Sequence, residues 1–152
     1  MNIALIGYGR FGRFAATHLC KDFRVSIADT RKGERVDRGA HRVSLDEAAS
    51  KPIVILAVPI NQLRAVLVEI APSLQPRTLV IDVSSVKEQP VRWMKSLLPQ
   101  NISILGTHPL FGPDSATHGL KGHTITLCPV RIPGKQFLHV TRYLRAHGLI
   151  VQ

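Results

Sequence analysis

The stretch NIALIGYGRFG (residues 2–12) decides the fold. It opens with the apolar run IALI (3–6), turns through Gly7, Gly9 and Gly12, and enters a helical stretch from Phe11 to Leu19. A G-x-G-x-x-G turn between a strand and a helix has a physical purpose. Gly7 permits the tight turn, Gly9 lets backbone approach a pyrophosphate, and Gly12 lets helix and strand pack closely. The helix that follows points unpaired N–H groups and a positive dipole end at phosphates. Arg10, at the tip of the turn, adds a charge-assisted contact, and Phe11 begins the helix.

Downstream, RVSIA (24–28) reads as a second strand, and Asp29 ends it, 17 residues after Gly12. A carboxylate there accepts hydrogen bonds from ribose hydroxyls and repels a 2′-phosphate, so NAD is the expected cofactor. Arg31, Lys32 and Arg35 follow at once. With Asp29 turned away, that cluster would hold the extra phosphate of NADP, which stays as the alternative.

The rest of the chain extends this pattern. Strand-like runs recur at IVILAV (53–58), TLVIDV (78–83), ISIL (102–105), HTITL (123–127) and LIV (149–151). Several are continuously apolar, as strands covered on both faces are. Helical periodicity fills the gaps at 60–74, 88–98 and 135–147. This alternation predicts an α/β fold: a doubly wound, mostly parallel sheet of Rossmann type. The polar stretch 30–42 reads as a surface loop or weak helix, and 106–122 as a long loop of the kind that carries function.

At 152 residues and 45% hydrophobic residues, the chain suits a single NAD(P)-binding domain over 1–152 with a substantial core. The net charge of +10 is spread along the chain. With only 5% aromatic residues, none interleaved with the basic ones, it points to an anionic small molecule, not to nucleic acid. No apolar run is long enough for a membrane span, and a strand starting directly after Met1 leaves no room for the basic segment of a secretory leader. Cys20 and Cys128, with no CxxC, predict neither a disulfide framework nor a metal site. The expected location is the cytoplasm.

Three stretches fall at the carboxyl ends of strands, where such sheets bind ligands. AVPINQ (57–62) places Val58 and Pro59 beside the cofactor riboses. DVSSVK (82–87) brings Ser84 and Ser85, and GTHPLFGPD (106–114) brings His108 and Asp114. Read locally, Ser84 and Ser85 also suit capping of the next helix, with Glu88 completing a box from Ser85. Lys87 reads as a solvated residue at the helix start. His18, His41, His118, His123, His139 and His147 read as surface or helix-terminal residues. His108 stands apart, just past a strand end, before a proline and beside the cofactor crevice.

GYGRFG, VILAVPI, DVSSVK and GTHPLFGPDS, in this order, resemble the prephenate and arogenate dehydrogenase family of tyrosine biosynthesis, in its nucleotide-binding half. The resemblance implies an oxidative decarboxylation of prephenate or arogenate. A ring hydroxyl loses its proton, its carbon gives a hydride to the nicotinamide, and carbon dioxide leaves as the ring becomes aromatic. The family's catalytic histidine falls on His108, and its active-site serine on Ser85, which would orient the imidazole. A neutral imidazole suits proton acceptance near neutral pH. Asp114, beside this site, would face the amino group of arogenate. The family continues into an all-helical domain that supplies dimer contacts and cations for the substrate carboxylates. The expectation is therefore a fragment, or a chain completed by a homodimer or a helical domain. A hydroxyacid or imine oxidoreductase, or a non-catalytic dinucleotide-binding module, is the alternative.

Overall fold

The computed structural model describes residues 1–31, 33 and 35–152. Lys32, one of the three cations placed near a 2′-phosphate, lies outside the described residues. The strands are β1 (Asn2–Ile6), β2 (Arg24–Ala28), β3 (Ala40–Arg42), β4 (Ile53–Leu56), β5 (Leu79–Asp82), β6 (Ser103–Pro109), β7 (Thr124–Arg131) and β8 (Ile150–Val151). The helices are α1 (Arg10–Leu19), α2 (Leu45–Ala49), α3 (Ile60–Ile70), α4 (Glu88–Leu97) and α5 (Gly134–Ala146). The strands form one sheet in the order β3-β2-β1-β4-β5-β6-β7-β8. From β3 through β6 every pairing is parallel. β7 runs antiparallel to β6, and β8 follows β7 in parallel. This is the mostly parallel, doubly wound Rossmann-like sheet that the alternating pattern implies.

Because successive residues of a strand face opposite ways, each apolar strand feeds two cores. On one face Ala4, Ile6, Val54, Leu56, Val80 and Ile104 pack against α2, α3 and α4 through Ala48, Leu63, Leu67, Ile70 and Met94. On the other, Ile3, Leu5, Val25 and Ile27 pack with Ala16 of α1. Leu63, Leu67 and Ile70 recur with helical spacing and are at most 1% exposed. Each side chain of this kind contributes about 1.5–3 kcal/mol on burial. α5 lies on the α1 side; there the Tyr143 hydroxyl donates to Asp22 Oδ2 at 2.9 Å, and His147 Nε2 lies 2.9 Å from the same oxygen.

The structure departs from the sequence expectations in four places. The stretch 30–42 is not all loop: Ala40–Arg42 adds an edge strand, with His41 opposite Ser26 and their side chains 3.1 Å apart. α2 was not foreseen, although its start is written locally. Ser44 caps it by accepting from the Glu47 N–H at 3.1 Å. α3 stops at Ile70 and passes into a 3₁₀ turn at Ala71–Ser73, because Pro72 cannot continue the ladder of hydrogen bonds. β6 does not end at Leu105. It runs to Pro109, because β7 pairs with it antiparallel, Thr107 opposite Leu127 and His108 opposite Thr126. His108 therefore sits within the last residues of a strand and not beyond one. Among the described residues no helix is long and apolar enough to cross a membrane.

Candidate functional site

β1 pairs with β2 on one side and β4 on the other; the chain leaves β1 toward β2 and leaves β4 toward β5, so these two connections diverge and open a crevice at the carboxyl ends of β1 and β4. A cleft of about 940 Å³ occupies it, within the range of cofactor sites. Gly7, Gly9, Arg10 and Phe11 form its floor. Gly7 has φ +98°, and a Cβ there would lie 2.4 Å from the Ala57 carbonyl oxygen. Gly12 does not line the cleft. A Cβ on it would stand 2.2 Å from the Gly7 oxygen, so it is what lets α1 seat against the turn. The N-cap of α1 is Gly9, which has no side chain to satisfy the first N–H groups, and the first turn has no acidic residue. These N–H groups are left for an anion.

At the β2 end, Asp29 faces the same cleft with its side chain 8% exposed. Its Oδ2 accepts the Tyr8 N–H at 2.5 Å, and its Oδ1 accepts the Arg31 N–H at 2.7 Å and Arg31 Nε at 3.3 Å. Burial pushes the carboxyl pKa up, but these donors and the Arg31 charge outweigh it and hold the pKa below the ordinary carboxylate value. Asp29 is thus locked to the glycine turn and has not turned away toward solvent. Arg31 also lines the cleft, while Arg42 Nη1 donates to the Arg31 carbonyl at 3.0 Å. Val58 and Pro59, at the start of α3, line the middle of the cleft.

Ser84 and Ser85 line the far end, with Pro109 and Phe111 from the end of β6 and the loop beyond it. The capping expectation does not hold. Lys87 is the N-cap of α4 and makes no side-chain cap bond. The Ser84 hydroxyl instead lies 2.8 Å from Asp82 Oδ2 and 2.9 Å from the Val86 carbonyl, because an unpaired Asp82, 1% exposed, needs donors near it. Nor is Lys87 a solvated residue. Its ammonium pairs with Asp82 and donates to the Thr107 carbonyl at 2.6 Å. No signal within the helix start showed this. The signal was Asp82, a lone charge ending an apolar strand.

His108 is half-buried and lies opposite Thr126, two residues beyond Gly106, the partner of Asp82, and so on the same face of β6 as Gly106. It stands at the cleft's edge; its chain neighbours Pro109 and Phe111, but not His108 itself, line the cleft. Among the described residues no hydrogen bond joins it to Ser85. Phe111 packs on Phe14 of α1, ring centroids 6.1 Å apart, and so ties the loop after β6 to the helix behind the glycine turn. Across the same rim, Arg10 Nη2 pairs with Asp114 at 2.6 Å. Both side chains of this pair are exposed, so it is a surface contact.

Comparison with known proteins bears on the family and the fold. The family description "prephenate dehydrogenase, nucleotide-binding domain" matches residues 21–151. A probable arogenate/prephenate dehydrogenase of Methanocaldococcus jannaschii is 34% identical over 137 residues, covering 85% of this chain and 30% of that protein. The chloroplastic arogenate dehydrogenase 1 of Arabidopsis thaliana is 32% identical over 153 residues, covering 93% of this chain and 23% of its own length. The chain thus spans about a quarter to a third of these curated relatives. Among solved structures, Synechocystis arogenate dehydrogenase has a TM-score of 0.81 at 23% identity over all of this chain and 59% of that one. Aquifex aeolicus prephenate dehydrogenase, in complex with hydroxyphenyl propionate and NAD+, has a TM-score of 0.79 at 19% identity, covering 100% of this chain and 59% of its own. At these identities the structural likeness shows the shared fold.

Proposed function

The chain belongs to the prephenate dehydrogenase nucleotide-binding family, and from that premise we propose that it is the cofactor-binding part of a cytoplasmic enzyme that oxidatively decarboxylates prephenate or arogenate with NAD. The observation that carries this is a single cleft running from Asp29, past the glycine turn, to Ser84, Ser85 and the end of the strand bearing His108. The residues fit a dinucleotide: Gly7 and Gly12 let the turn and α1 close up where a Cβ on either would strike backbone, of Ala57 and of Gly7, and the first N–H groups of α1 face the cleft without a side-chain cap. Bound there, NAD supplies the hydride acceptor. Gly7, Gly9, Arg10, Phe11 and Gly12 shape and line the pyrophosphate site. Asp29 receives the adenosine ribose, Arg31 flanks it, and Val58, Pro59 and Ser84 line the path to the nicotinamide.

At the reacting end, His108 accepts the ring-hydroxyl proton and Ser85 orients the imidazole. Of the cations near the cleft, Arg10 serves the pyrophosphate end, and Lys87 is held by Asp82. A substrate carrying carboxylates needs paired cations. These come from a helical domain beyond this chain or from a second copy, as the family resemblance implies. The direct test adds NAD with prephenate, then with arogenate, and follows absorbance of the reduced nicotinamide. Production of NADH with either substrate supports the proposal. Failure of the chain to bind NAD or NADP by calorimetry overturns it.

Asp29 carries a second expectation. Replacing it with Asn removes the charge that accepts from Tyr8, Arg31 and the ribose, so NAD affinity falls about 10-fold, by roughly one charge-assisted hydrogen bond. The NAD-to-NADP preference narrows with it, as read by titrating both cofactors. The pH dependence follows from the lowered pKa of Asp29 in the folded state. The unfolded chain binds the proton more readily, so this group's contribution to stability is complete above the ordinary carboxylate pKa. It is lost as pH falls below that value. Thermal melts from neutral to acid pH show the Asp29→Asn variant losing less stability than the parent over that window.

A further inference from the structure

We infer that Lys87 is a positioning residue for the reacting end of the cleft, a role that rests on the reading of His108 as the base. The inference starts from a mismatch in strand length. β5 ends at Asp82, opposite Gly106, while β6 runs on through Thr107, His108 and Pro109. On its other side this extension is paired, with His108 opposite Thr126. On the β5 side no strand remains to continue the ladder, and the Thr107 carbonyl would be left without a backbone donor. The Lys87 ammonium fills that position, donating to it at 2.6 Å. The Thr107 hydroxyl ties the same place from the opposite direction, donating to the Asp82 carbonyl at 2.9 Å.

The ammonium is held where it works. It pairs with Asp82, whose side chain is 2% exposed, while that of Lys87 is 22% exposed. Asp82 also accepts from the Ser84 N–H at 3.1 Å and lies 2.8 Å from the Ser84 hydroxyl. One buried carboxylate thus fixes both the turn that carries Ser84 and Ser85 and the cation that props the peptide before His108. The aliphatic stem of Lys87 reaches this point by crossing Gly106, where a Cβ would lie 3.2 Å from Lys87 Cδ and 3.3 Å from Cys128 Cβ. Gly106 is the gap through which the lysine reaches the strand end. Lys87 touches neither proton nor hydride. It sets where the His108 imidazole stands relative to Ser85.

The test replaces Lys87 with Met, which keeps the stem and removes the donor, and follows two readouts. The first is turnover with NAD and prephenate or arogenate: kcat falls about 100-fold, as expected for a catalytic group displaced by about 1 Å, while the Kd for NAD is unchanged. The second is the histidine imidazole NMR spectrum of the free protein, in which the His108 resonances shift and those of the other six histidines stay. Where the unpaired Asp82 charge left by Lys87→Met prevents folding, the double variant Asp82→Asn/Lys87→Met removes both charges and is read in the same way. Gly106→Ala, which crowds the lysine stem without altering a charge, reproduces the His108 shift. An unmoved His108 signal in the folded variants overturns the inference. Absence of turnover in the parent protein bears on substrate binding and the proposed activity and not on this inference, since the imidazole spectrum still decides the role of Lys87.

Discussion

Replacing His108 with Asn lowers kcat by about 10²–10⁴-fold, the span attributable to one general base, and leaves NAD affinity unchanged. The separation of the two effects follows from the structure. The cofactor cleft is lined by the glycine turn, the ends of β2, β4 and β5, and Pro109 and Phe111, without the imidazole. The His108 backbone is held by pairing with Thr126, and its side chain makes no hydrogen bond among the described residues. Asn keeps the strand and loses only the imidazole that would accept the proton. Stability therefore changes little, and circular dichroism of the variant superimposes on that of the parent. Calorimetric titration with NAD and initial rates of nicotinamide reduction separate the two quantities. A variant that retains kcat would place the base elsewhere and reduce His108 to a strand-end residue. Ser85→Ala gives the companion measurement. A serine that only orients the imidazole costs less than the loss of the imidazole itself.

How legible was this in the sequence? The glycine turn and the long apolar strands are written locally, because a turn needing three glycines and strands buried on both faces leave their mark within a few residues. The failures come from partners distant in the chain. The short strand Ala40–Arg42 has no apolar pattern of its own and exists because β2 offers an edge to it. β6 looked finished at Leu105, since Gly106 and Pro109 read as turn residues. It continues because β7, arriving after a loop, pairs with it antiparallel. Lys87 looked solvated because a helix-start lysine has no buried partner within one turn. Its partners lie 5 residues back, at Asp82, and 20 residues ahead, at Thr107. The available clue was physical: a carboxylate closing an apolar strand is rarely buried unless paired. The serines of residues 84–85 fit a capping pattern that the backbone did not use, because Asp82 competed for Ser84. Local sequence gave no sign that Arg10 would reach Asp114 across 104 positions.

Gly12→Ala weakens cofactor binding through packing alone, and the neighbouring Gly9→Ala shows that the two glycines act differently. At position 12 the added Cβ stands 2.2 Å from the Gly7 oxygen and 3.0 Å from the Gly7 carbon, both backbone atoms of the turn. No side chain can step aside, so α1 must move away from the strand. Forcing a methyl into a packed contact costs about 1–3 kcal/mol, and each kcal/mol lowers Tm by about 2–4 °C at this chain length. The same displacement carries the first N–H groups of α1 off the line on which they meet a pyrophosphate, so NAD affinity falls more than about 10-fold as that anion site is lost. At position 9 the geometry differs. The nearest atom to a Cβ is Arg31 Nη2 at 3.5 Å, an ordinary contact, and φ is −76°. Gly9→Ala therefore keeps the parent Tm, yet it lines the cleft and pushes a methyl toward the space a phosphate backbone would occupy. Its affinity falls with no loss of stability. Melting curves beside NAD titrations for the two variants give the pattern: both quantities fall at position 12, and affinity alone falls at position 9. A Gly12→Ala protein that melts and binds NAD like the parent would show that the close seating of α1 on the glycine turn is not what builds the cofactor site.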